Sequence, residues 1–206
     1  MKQDRQSTLN RAMQLFWAKG FHATSMRHLQ EAVDMRPGSL YALFGSKEGI
    51  FREVLRHYTE RGQKQLEACV RGAGSPLKGL EAFFRKILLE QRHSAPSDQC
   101  LLAKTVLELD ESHGELLEEA RSHLRAMEER FAALLAQSQS TGELPGESDP
   151  RILARYLQIQ LMGLRTWARL NDDDAMIALL VDELFERLRS GQILATFQIP
   201  SHLQGN

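Results

Sequence analysis

The sequence has few of the features that mark membrane, secreted or metal-binding proteins. No stretch approaches the roughly 18 consecutive apolar residues that a membrane-spanning helix needs, and the first ten residues lack the apolar core of a signal peptide. The two cysteines, Cys69 and Cys100, form no CxxC pair and no cluster with histidine at zinc-binding spacing. These absences exclude a disulfide framework and predict a cytoplasmic protein without a membrane partner, a metal site or a cofactor.

Motifs of the common enzyme classes are also missing. The chain contains no P-loop, no GxGxxG, no paired metal ligands and no Ser/His/Asp or Cys/His arrangement at a recognisable spacing. Three adjacent acids, Asp172, Asp173 and Asp174, could suggest a cation site. Adjacent side chains at a helix start fan apart, however, so these acids are predicted to cap a helix. The sequence therefore favours a protein that is not an enzyme and has no catalytic residues.

Helical periodicity is the main pattern that the chain does have. Apolar residues recur near 3.6-residue spacing, glycine and proline separate the periodic segments, and no segment alternates as a strand does. The sequence predicts an all-α fold of about nine helices, near residues 6–19, 24–33, 37–44, 47–70, 76–92, 100–109, 115–138, 150–170 and 173–189.

Charge is distributed unevenly along the chain. Residues 1–58 carry nine lysines and arginines against five acids, and the remainder carries 17 against 22. A basic N-terminal segment followed by a more acidic remainder is typical of a small nucleic-acid-binding module carried by another domain. The sequence predicts a helix-turn-helix domain at residues 1–48 and an effector-binding and dimerisation domain at residues 49–206. The alternative of another class is a helical protein–protein adaptor without DNA binding.

The segment at residues 24–47 has the outline of a helix-turn-helix. Two short helical patterns are joined by a three-residue turn that begins with Asp34, a residue type that tolerates a left-handed backbone. Pro37 suits the first position of the second helix, and Gly45 ends it. Leu40, Leu43 and Phe44 are predicted to face inward. The other side of the second helix is then free to enter a DNA groove.

The predicted DNA contacts lie at helix starts and on this outward side. Backbone N–H groups and the dipole at a helix N-terminus favour phosphate, whereas Arg36 could donate to a guanine edge or to a phosphate. Ala42 could touch a thymine methyl group. The predicted DNA-contacting residues are Thr24, Ser25, Arg27, Arg36, Pro37, Ser39, Tyr41, Ala42 and Lys47.

The stretch GFHATSMRHLQEAVDMRPGSLYALFGSKEGIF closely resembles the N-terminal DNA-binding domain of TetR-family transcriptional regulators. Asp34 departs from the family pattern, which usually has glycine in the turn. The residues that carry the resemblance are Gly20-Phe21, Thr24-Ser25, Gly38-Ser39-Leu40-Tyr41, Phe44-Gly45-Ser46-Lys47-Glu48 and Phe51. The C-terminal half resembles that of one TetR type at Gly142-Glu143-Leu144-Pro145, Asp149-Pro150, Leu153-Ala154-Arg155 and Gly163-Leu164-Arg165.

The resemblance implies a homodimeric regulator, usually a repressor, that binds a palindromic double-stranded operator. It also implies that a small-molecule effector, of unknown identity, enters the C-terminal domain and releases the DNA. Phosphate-contacting roles would carry over to Thr24, Ser25, Tyr41 and Lys47, and base-contacting roles to Arg36 and Ser39.

The last two helices are too apolar to stand alone and are predicted to form a four-helix interface between two copies. The alternative is that they complete the core of one copy. The predicted interface residues are Tyr156, Leu157, Gln160, Gly163, Leu164, Trp167, Leu180, Leu184 and Leu188. The predicted effector pocket is lined by Phe83, Phe84, Ile87, Gln91, Cys100, Leu101, Met127 and Phe131, although a helical apolar stripe needs no ligand to explain it.

Cys100 has a second interpretation. It lies near the start of a short helix, where the helix dipole can lower a thiol pKa and make the thiol reactive. The nearby Asp98 would oppose this effect. The alternative function is therefore a redox- or electrophile-sensing regulator that acts through Cys100, and the commoner case is a buried structural cysteine.

Overall fold

A computed structural model describes residues 2–97 and 99–193 of the chain. Within this part the chain forms nine α-helices and no β-strand, which confirms the predicted all-α class. The helices are α1 (Lys2–Lys19), α2 (Met26–Val33), α3 (Pro37–Phe44), α4 (Lys47–Ala73), α5 (Pro76–Arg85), α6 (Leu101–Glu108), α7 (Gly114–Ser140), α8 (Pro150–Leu170) and α9 (Asp174–Arg189). A short 3₁₀ turn, Glu111–His113, precedes α7.

Side chains at the helix starts explain where the helices begin. The N-terminal N–H groups of an α-helix have no partner within the helix, so an oxygen just before it is favoured. Ser75, Asp149 and Asp173 supply that oxygen to α5, α8 and α9. A proline follows directly at Pro76 and Pro150, where its missing N–H costs nothing.

The fifth helix differs from its prediction at its C-terminal end. It stops at Arg85 and continues as a π-helical turn, Lys86–Glu90, which is closed by a hydrogen bond of 3.0 Å from the Gln91 N–H to the Lys86 carbonyl. A hydrogen bond between residues five positions apart, instead of four, widens the turn and shifts the side chains that follow it. The 3.6-residue pattern cannot reveal such a turn, because one wide turn barely alters the apolar spacing.

The described residues divide into two compact units, neither of which is one continuous segment. The first unit contains residues 2–65 and 93–127, and the second contains residues 66–92 and 128–193. The predicted functional boundary at residue 48 stays a prediction, since a compact unit is defined by packing and a functional domain by its role.

The core of the first unit lies where α1, α2, α4 and α6 meet. Phe16, Phe21 and Phe51 are buried together, with ring centroids 4.7 Å apart for Phe16 and Phe51 and 5.0 Å apart for Phe21 and Phe51. Aromatic pairs at such distances contribute beyond the area that they bury. Leu29 of α2 and Leu40 of α3 are fully buried in the same cluster. This core fixes the two short helices of the predicted helix-turn-helix.

The core of the second unit is also aromatic. Phe84 of α5 contacts Phe131 of α7 and Phe185 of α9, with centroids 6.2 Å and 5.3 Å away. Phe83 is packed against Phe131 in the same way. These rings are buried, so α5, α7 and α9 are held to one another by aromatic packing.

Of the three adjacent acids, one caps a helix as predicted, whereas the other two converge on a single arginine. Asp173 caps α9, where its carboxylate accepts a hydrogen bond of 2.9 Å from the Met176 N–H. Asp172 and Asp174 instead accept from the Arg92 guanidinium, at 2.9 Å and 2.5 Å. In the described part of the chain no group of His, Cys, Asp or Glu could hold a metal ion, and no helix is long and apolar enough to cross a membrane.

Candidate DNA-binding surface

The start of α2 is closed by a reciprocal cap. The Ser25 hydroxyl accepts a hydrogen bond of 3.2 Å from the His28 N–H, and the His28 ring accepts one of 3.3 Å from the Ser25 N–H. This is a capping box in which histidine takes the place of the usual glutamate or glutamine. Ser25 is exposed, and its hydroxyl lies at the positive end of the helix dipole.

The turn between α2 and α3 confirms the expectation for Asp34. Its backbone adopts the left-handed conformation, with φ 54° and ψ 49°, and it is the one non-glycine residue with positive φ in the described ranges. The Asp34 N–H and the Met35 N–H both bond to the Gln30 carbonyl, which closes the end of α2. The turn therefore forms without the glycine that the family pattern usually has there.

The third helix is attached to the unit mainly by Leu40, which is fully buried, while Phe44 is half-buried. The predicted inward position of Leu43 is wrong, since 50% of this side chain is exposed. On a helix, Leu43 lies about 60° from Leu40 on the side opposite to Phe44, so an eight-residue helix held chiefly at Leu40 leaves it uncovered. Leu43 thus joins the outward surface.

Most of the predicted contacts on α3 are exposed on one outward surface. Ser39 and Ala42 are exposed, and Tyr41 is 47% exposed. Arg36 is exposed at the N-cap of α3, where its side chain makes no capping hydrogen bond. The backbone of Pro37 begins the helix as predicted. With Leu43 added, this surface offers hydroxyl, methyl, isobutyl and guanidinium groups to a partner.

Thr24 does not belong to this surface. It is completely buried, and its hydroxyl donates a hydrogen bond of 2.6 Å to the Gly20 carbonyl. Its own N–H donates to the Phe21 carbonyl at 3.2 Å. The predicted phosphate contact of Thr24 is therefore corrected, because its hydroxyl closes the α1–α2 loop from inside the unit.

Lys47 is also directed toward that loop. Its ammonium group donates a hydrogen bond of 3.2 Å to the Phe21 carbonyl and lies 4.0 Å from the centroid of the Phe21 ring. Lysine has three N–H donors, so this bond leaves donors for a phosphate, and that contact stays a prediction. The structure adds a second role, in which Lys47 fixes the loop before α2.

The start of α4 is largely occupied by its own side chains. The Ser46 hydroxyl accepts a hydrogen bond of 3.1 Å from the Gly49 N–H and so satisfies one donor of the first turn of α4. The pKa of Glu48 is lowered, first by a hydrogen bond from its own backbone N–H and then by one from Ser46. A carboxylate at this position reduces the attraction of the helix start for phosphate, so any phosphate contact there depends on Lys47.

Two arginines near the surface are already paired. Arg27 forms an exposed ion pair with Glu31, with its Nε 2.9 Å from the carboxylate. Arg5 of α1 pairs with Glu53 at 3.1 Å, and its guanidinium carbon lies 5.5 Å from the centroid of the Phe44 ring. No local pattern pointed to Arg5, because 39 positions separate it from Phe44.

The predicted interface residues on α8 and α9 fall into two groups. Leu157, Leu184 and Leu188 are buried within this chain, and they fill its own core instead of lying on a surface. The others retain exposed surface and stay predicted interface residues: Tyr156, Gln160, Gly163, Leu164, Trp167 and Leu180.

The structure also shows exposed apolar residues on these helices beyond the nine predicted interface residues. The outer side of α8 carries Ile159, 65% exposed, together with Met162, and the outer side of α9 carries Leu179, 59% exposed, together with Met176. A Cβ atom added at Gly163 would meet nothing within 4 Å. A helical wheel of the sequence could have indicated these residues, since Ile159 and Met162 lie on the side of α8 opposite to the buried Leu157.

The predicted pocket residues lie in both compact units. In the second unit Phe83, Phe84 and Phe131 are buried in the aromatic core, whereas Ile87 and Gln91 are half-buried. In the first unit Leu101 is buried in the core, and Met127 and Cys100 are half-buried. Their assignment to an effector pocket stays a prediction.

Cys100 is the N-cap of α6. Its sulfur accepts a hydrogen bond from the Ala103 N–H at 3.2 Å. The sulfur thus lies at the start of α6 with one backbone N–H directed at it. Asp98, whose charge was expected to oppose formation of the thiolate, lies outside the described residues.

Comparisons with known proteins agree with these features. The family model for bacterial regulatory proteins of the tetR family matches residues 9–54, and the model for the tetracyclin repressor-like C-terminal domain matches residues 76–184. The second match alone covers more than half of the chain. Together they include α2 and α3 as well as α5 to α8.

Individual relatives point the same way. The HTH-type transcriptional repressor ComR of Escherichia coli (strain K12) is 30% identical over 81% of this chain and 80% of its own length. The HTH-type transcriptional regulator TcmR of Streptomyces glaucescens is 27% identical over 84% of this chain and 77% of its own length. A solved structure of the TetR-family regulator CifR, a cysteine variant complexed with 26-base-pair operator DNA, has a TM-score of 0.78 and 27% identity, and covers 88% of this chain and 95% of that one.

Proposed function

The chain belongs to the TetR family of bacterial regulatory proteins, and we propose that it represses transcription as a homodimer, with α2 and α3 of each copy on one half-site of a palindromic operator. It is a DNA-binding transcriptional regulator. Repression is proposed because ComR is a repressor, and the operator because CifR is complexed with operator DNA. Such a protein acts in the cytoplasm, where the DNA is, and we assign it no enzymatic reaction.

The observation that carries the proposal is the outward surface of α3. A helix that enters the major groove needs a few side chains that reach base edges or phosphates, with short neighbours that permit close approach. Arg36, Ser39, Tyr41 and Ala42 meet this need, and a Cβ atom added at Gly38 would meet nothing within 4 Å. Ser25 offers a hydroxyl at the start of the neighbouring helix α2.

Replacement of Arg36 by alanine should weaken operator binding about tenfold, because one guanidinium contact to a base edge or phosphate is lost. The operator is first obtained by selecting bound DNA from random sequence with the unaltered protein. Affinity is then measured by gel shift over a series of salt concentrations. A smaller salt slope with a uniform loss across sequences would assign Arg36 to phosphate, and a loss confined to one position of the site would assign it to a base.

The control for this experiment is Arg151→Ala. Arg151 is exposed on α8, and its removal changes the net charge by the same amount. Its affinity for the operator should equal that of the unaltered protein. An Arg36→Ala variant as tight as this control would remove Arg36 from the contact surface, and failure of the unaltered protein to select any DNA would reject the function itself.

We also propose that a small molecule regulates DNA binding, as effectors do in this family. Phe83, Phe84 and Phe131 are buried against one another in one aromatic cluster. Ligand contacts in the second unit would therefore come first from the half-buried Ile87 and Gln91, which lie at the π turn after α5. A π turn within a helix is frequently found at a functional site.

A second candidate function is redox or electrophile sensing by Cys100, favoured by the hydrogen bond from the Ala103 N–H to its sulfur. Operator binding by the unaltered protein should then fall after treatment with hypochlorite or a quinone, and Cys100→Ser should resist. Serine is a strong N-cap, so the variant should keep α6 intact. Cys69→Ser is the control, since burial raises the pKa of the Cys69 thiol and makes it less reactive. An unchanged response in Cys100→Ser would reject this function.

A further inference from the structure

We propose that Glu108 and Lys104 of α6 are positioning residues for DNA binding, which fix the α1–α2 loop and through it Lys47 and the start of α2. This inference rests on the proposed DNA-binding surface, but neither residue belongs to that surface. They lie four positions apart, which places them on one side of α6. No sequence pattern pointed to either residue, because more than 80 positions separate each of them from the residues that it contacts, at the end of α1 and in the loop after it.

The two residues carry opposite charges and bind opposite kinds of backbone group: Lys104 binds carbonyl oxygens, and Glu108 binds N–H groups. The Lys104 ammonium donates to the Trp17 and Ala18 carbonyls, at 3.0 Å and 2.9 Å, at the C-terminal end of α1. A cation is favoured there, where helix carbonyls lack partners and the dipole is negative. Lys104 therefore anchors α6 to the point at which the loop leaves α1.

Glu108 binds the loop that follows. Its carboxylate accepts from the Phe21 N–H at 3.0 Å and from the His22 N–H at 2.7 Å. Gly20 permits this approach: its φ is +87°, and an added Cβ atom would lie 2.5 Å from a Glu108 oxygen. Hydrogen bonds to a charged acceptor are roughly twice as strong as neutral ones. One carboxylate thus determines where two consecutive peptide N–H groups of the loop lie.

Phe21 connects this carboxylate to the DNA-binding surface. Its N–H is held by Glu108, and its carbonyl accepts from both the Thr24 N–H and the Lys47 ammonium. Its ring is buried and lies beneath the same ammonium. Displacement of the loop would therefore move Lys47 and Thr24. Thr24 directly precedes Ser25, which is the N-cap of α2. A shift of about 1 Å at a binding group can cost much of its contribution.

The substitution Glu108→Gln tests this role by the sign of its effect. Removal of a negative charge from a DNA-binding protein should by electrostatics alone leave affinity unchanged or tighten it. Glutamine, however, offers one acceptor oxygen and turns an NH₂ group toward the second loop N–H. We therefore expect operator affinity to fall about tenfold, and the Phe21 and His22 amide hydrogens to exchange faster with solvent.

The matched control is Glu111→Gln, an equal charge change at an exposed acid three positions further along the chain. It should bind the operator at least as tightly as the unaltered protein. Equal affinities of Glu108→Gln and Glu111→Gln would overturn the positioning role, and so would a loss of the folded state in Glu108→Gln when measured by circular dichroism. Operator binding by the unaltered protein, measured in the same series, keeps this outcome separate from failure of the proposed function.

A double-mutant cycle with Lys47→Met tests the route through Phe21. If Glu108 acts on DNA binding through the loop and Lys47, the tenfold effect of Glu108→Gln should shrink to about twofold when Lys47 is already replaced. Salt dependence of the two single variants gives a further check, since displacement of Lys47 from a phosphate in Glu108→Gln should lower the salt slope as Lys47→Met does. Fully additive effects would overturn the proposed route.

Discussion

Replacement of Ile159 and Leu179 by glutamate should convert this regulator from a dimer to a monomer and weaken operator binding about 100-fold. Both side chains lie on the outer sides of the two C-terminal helices and are more than half exposed in the single chain. Neither contributes to the core of its own unit, so the variant should fold. The effect should therefore appear in assembly and in DNA binding together.

The magnitude follows from the geometry of a palindromic operator. A dimer that has bound one half-site holds its second copy close to the other half-site, so the second contact forms at a high effective concentration. This gain is lost in a monomer. A pair of glutamates on each copy would bring four like charges into an apolar contact, where burial of an unpaired charge is costly.

The measurements are light scattering after size-exclusion chromatography and gel shifts with the full operator and a half-site. Leu107→Glu is the control, because Leu107 is an exposed apolar residue of α6, 76% exposed, in the other compact unit. It should remain dimeric. A dimer that persisted in the Ile159→Glu, Leu179→Glu variant would place the interface elsewhere, and a monomer with undiminished operator affinity would refute the link between assembly and DNA binding.

The helices could be predicted from sequence because their signals are local. Apolar periodicity, capping residues and prolines lie within a few positions of the ends that they determine, so α8 was predicted with the bounds that the structure shows. The left-handed backbone at Asp34 was predicted for the same reason. The π turn after Arg85 was missed, because one wide turn barely alters the 3.6-residue spacing of the apolar side chains.

The candidate site was only partly predictable, because exposure depends on contacts between distant residues. Thr24 and Ser25 are adjacent and chemically alike, yet one hydroxyl is buried against Gly20 and the other is exposed. Leu157 and Ile159 lie on one apolar helix, and the structure divides them between core and surface. A helical wheel predicts such a division only once the direction of the core is known.

Replacement of Gly79 by alanine should destabilise the protein by about 2–3 kcal/mol and lower its melting temperature by about 5–10 °C. Gly79 is buried in α5, and a Cβ atom there would lie 2.5 Å from the Cα of Val70 and 2.7 Å from its Cγ2. The nearest atom belongs to the backbone of α4, so the clash cannot be relieved by rotating one side chain. Helix α5 would have to move away from α4 and loosen the core around Phe84.

Helix propensity alone predicts the opposite sign, which makes the comparison with Gly72→Ala decisive. Gly72 lies in the last turns of α4, and a Cβ atom there would meet nothing within 4 Å. Alanine favours a helix over glycine by up to about 1 kcal/mol, so Gly72→Ala should raise the melting temperature. Thermal unfolding of both variants separates the two effects, because propensity acts at both positions and close approach only at Gly79. Equal stabilisation at both positions would show that α4 and α5 do not meet as closely as the structure has them.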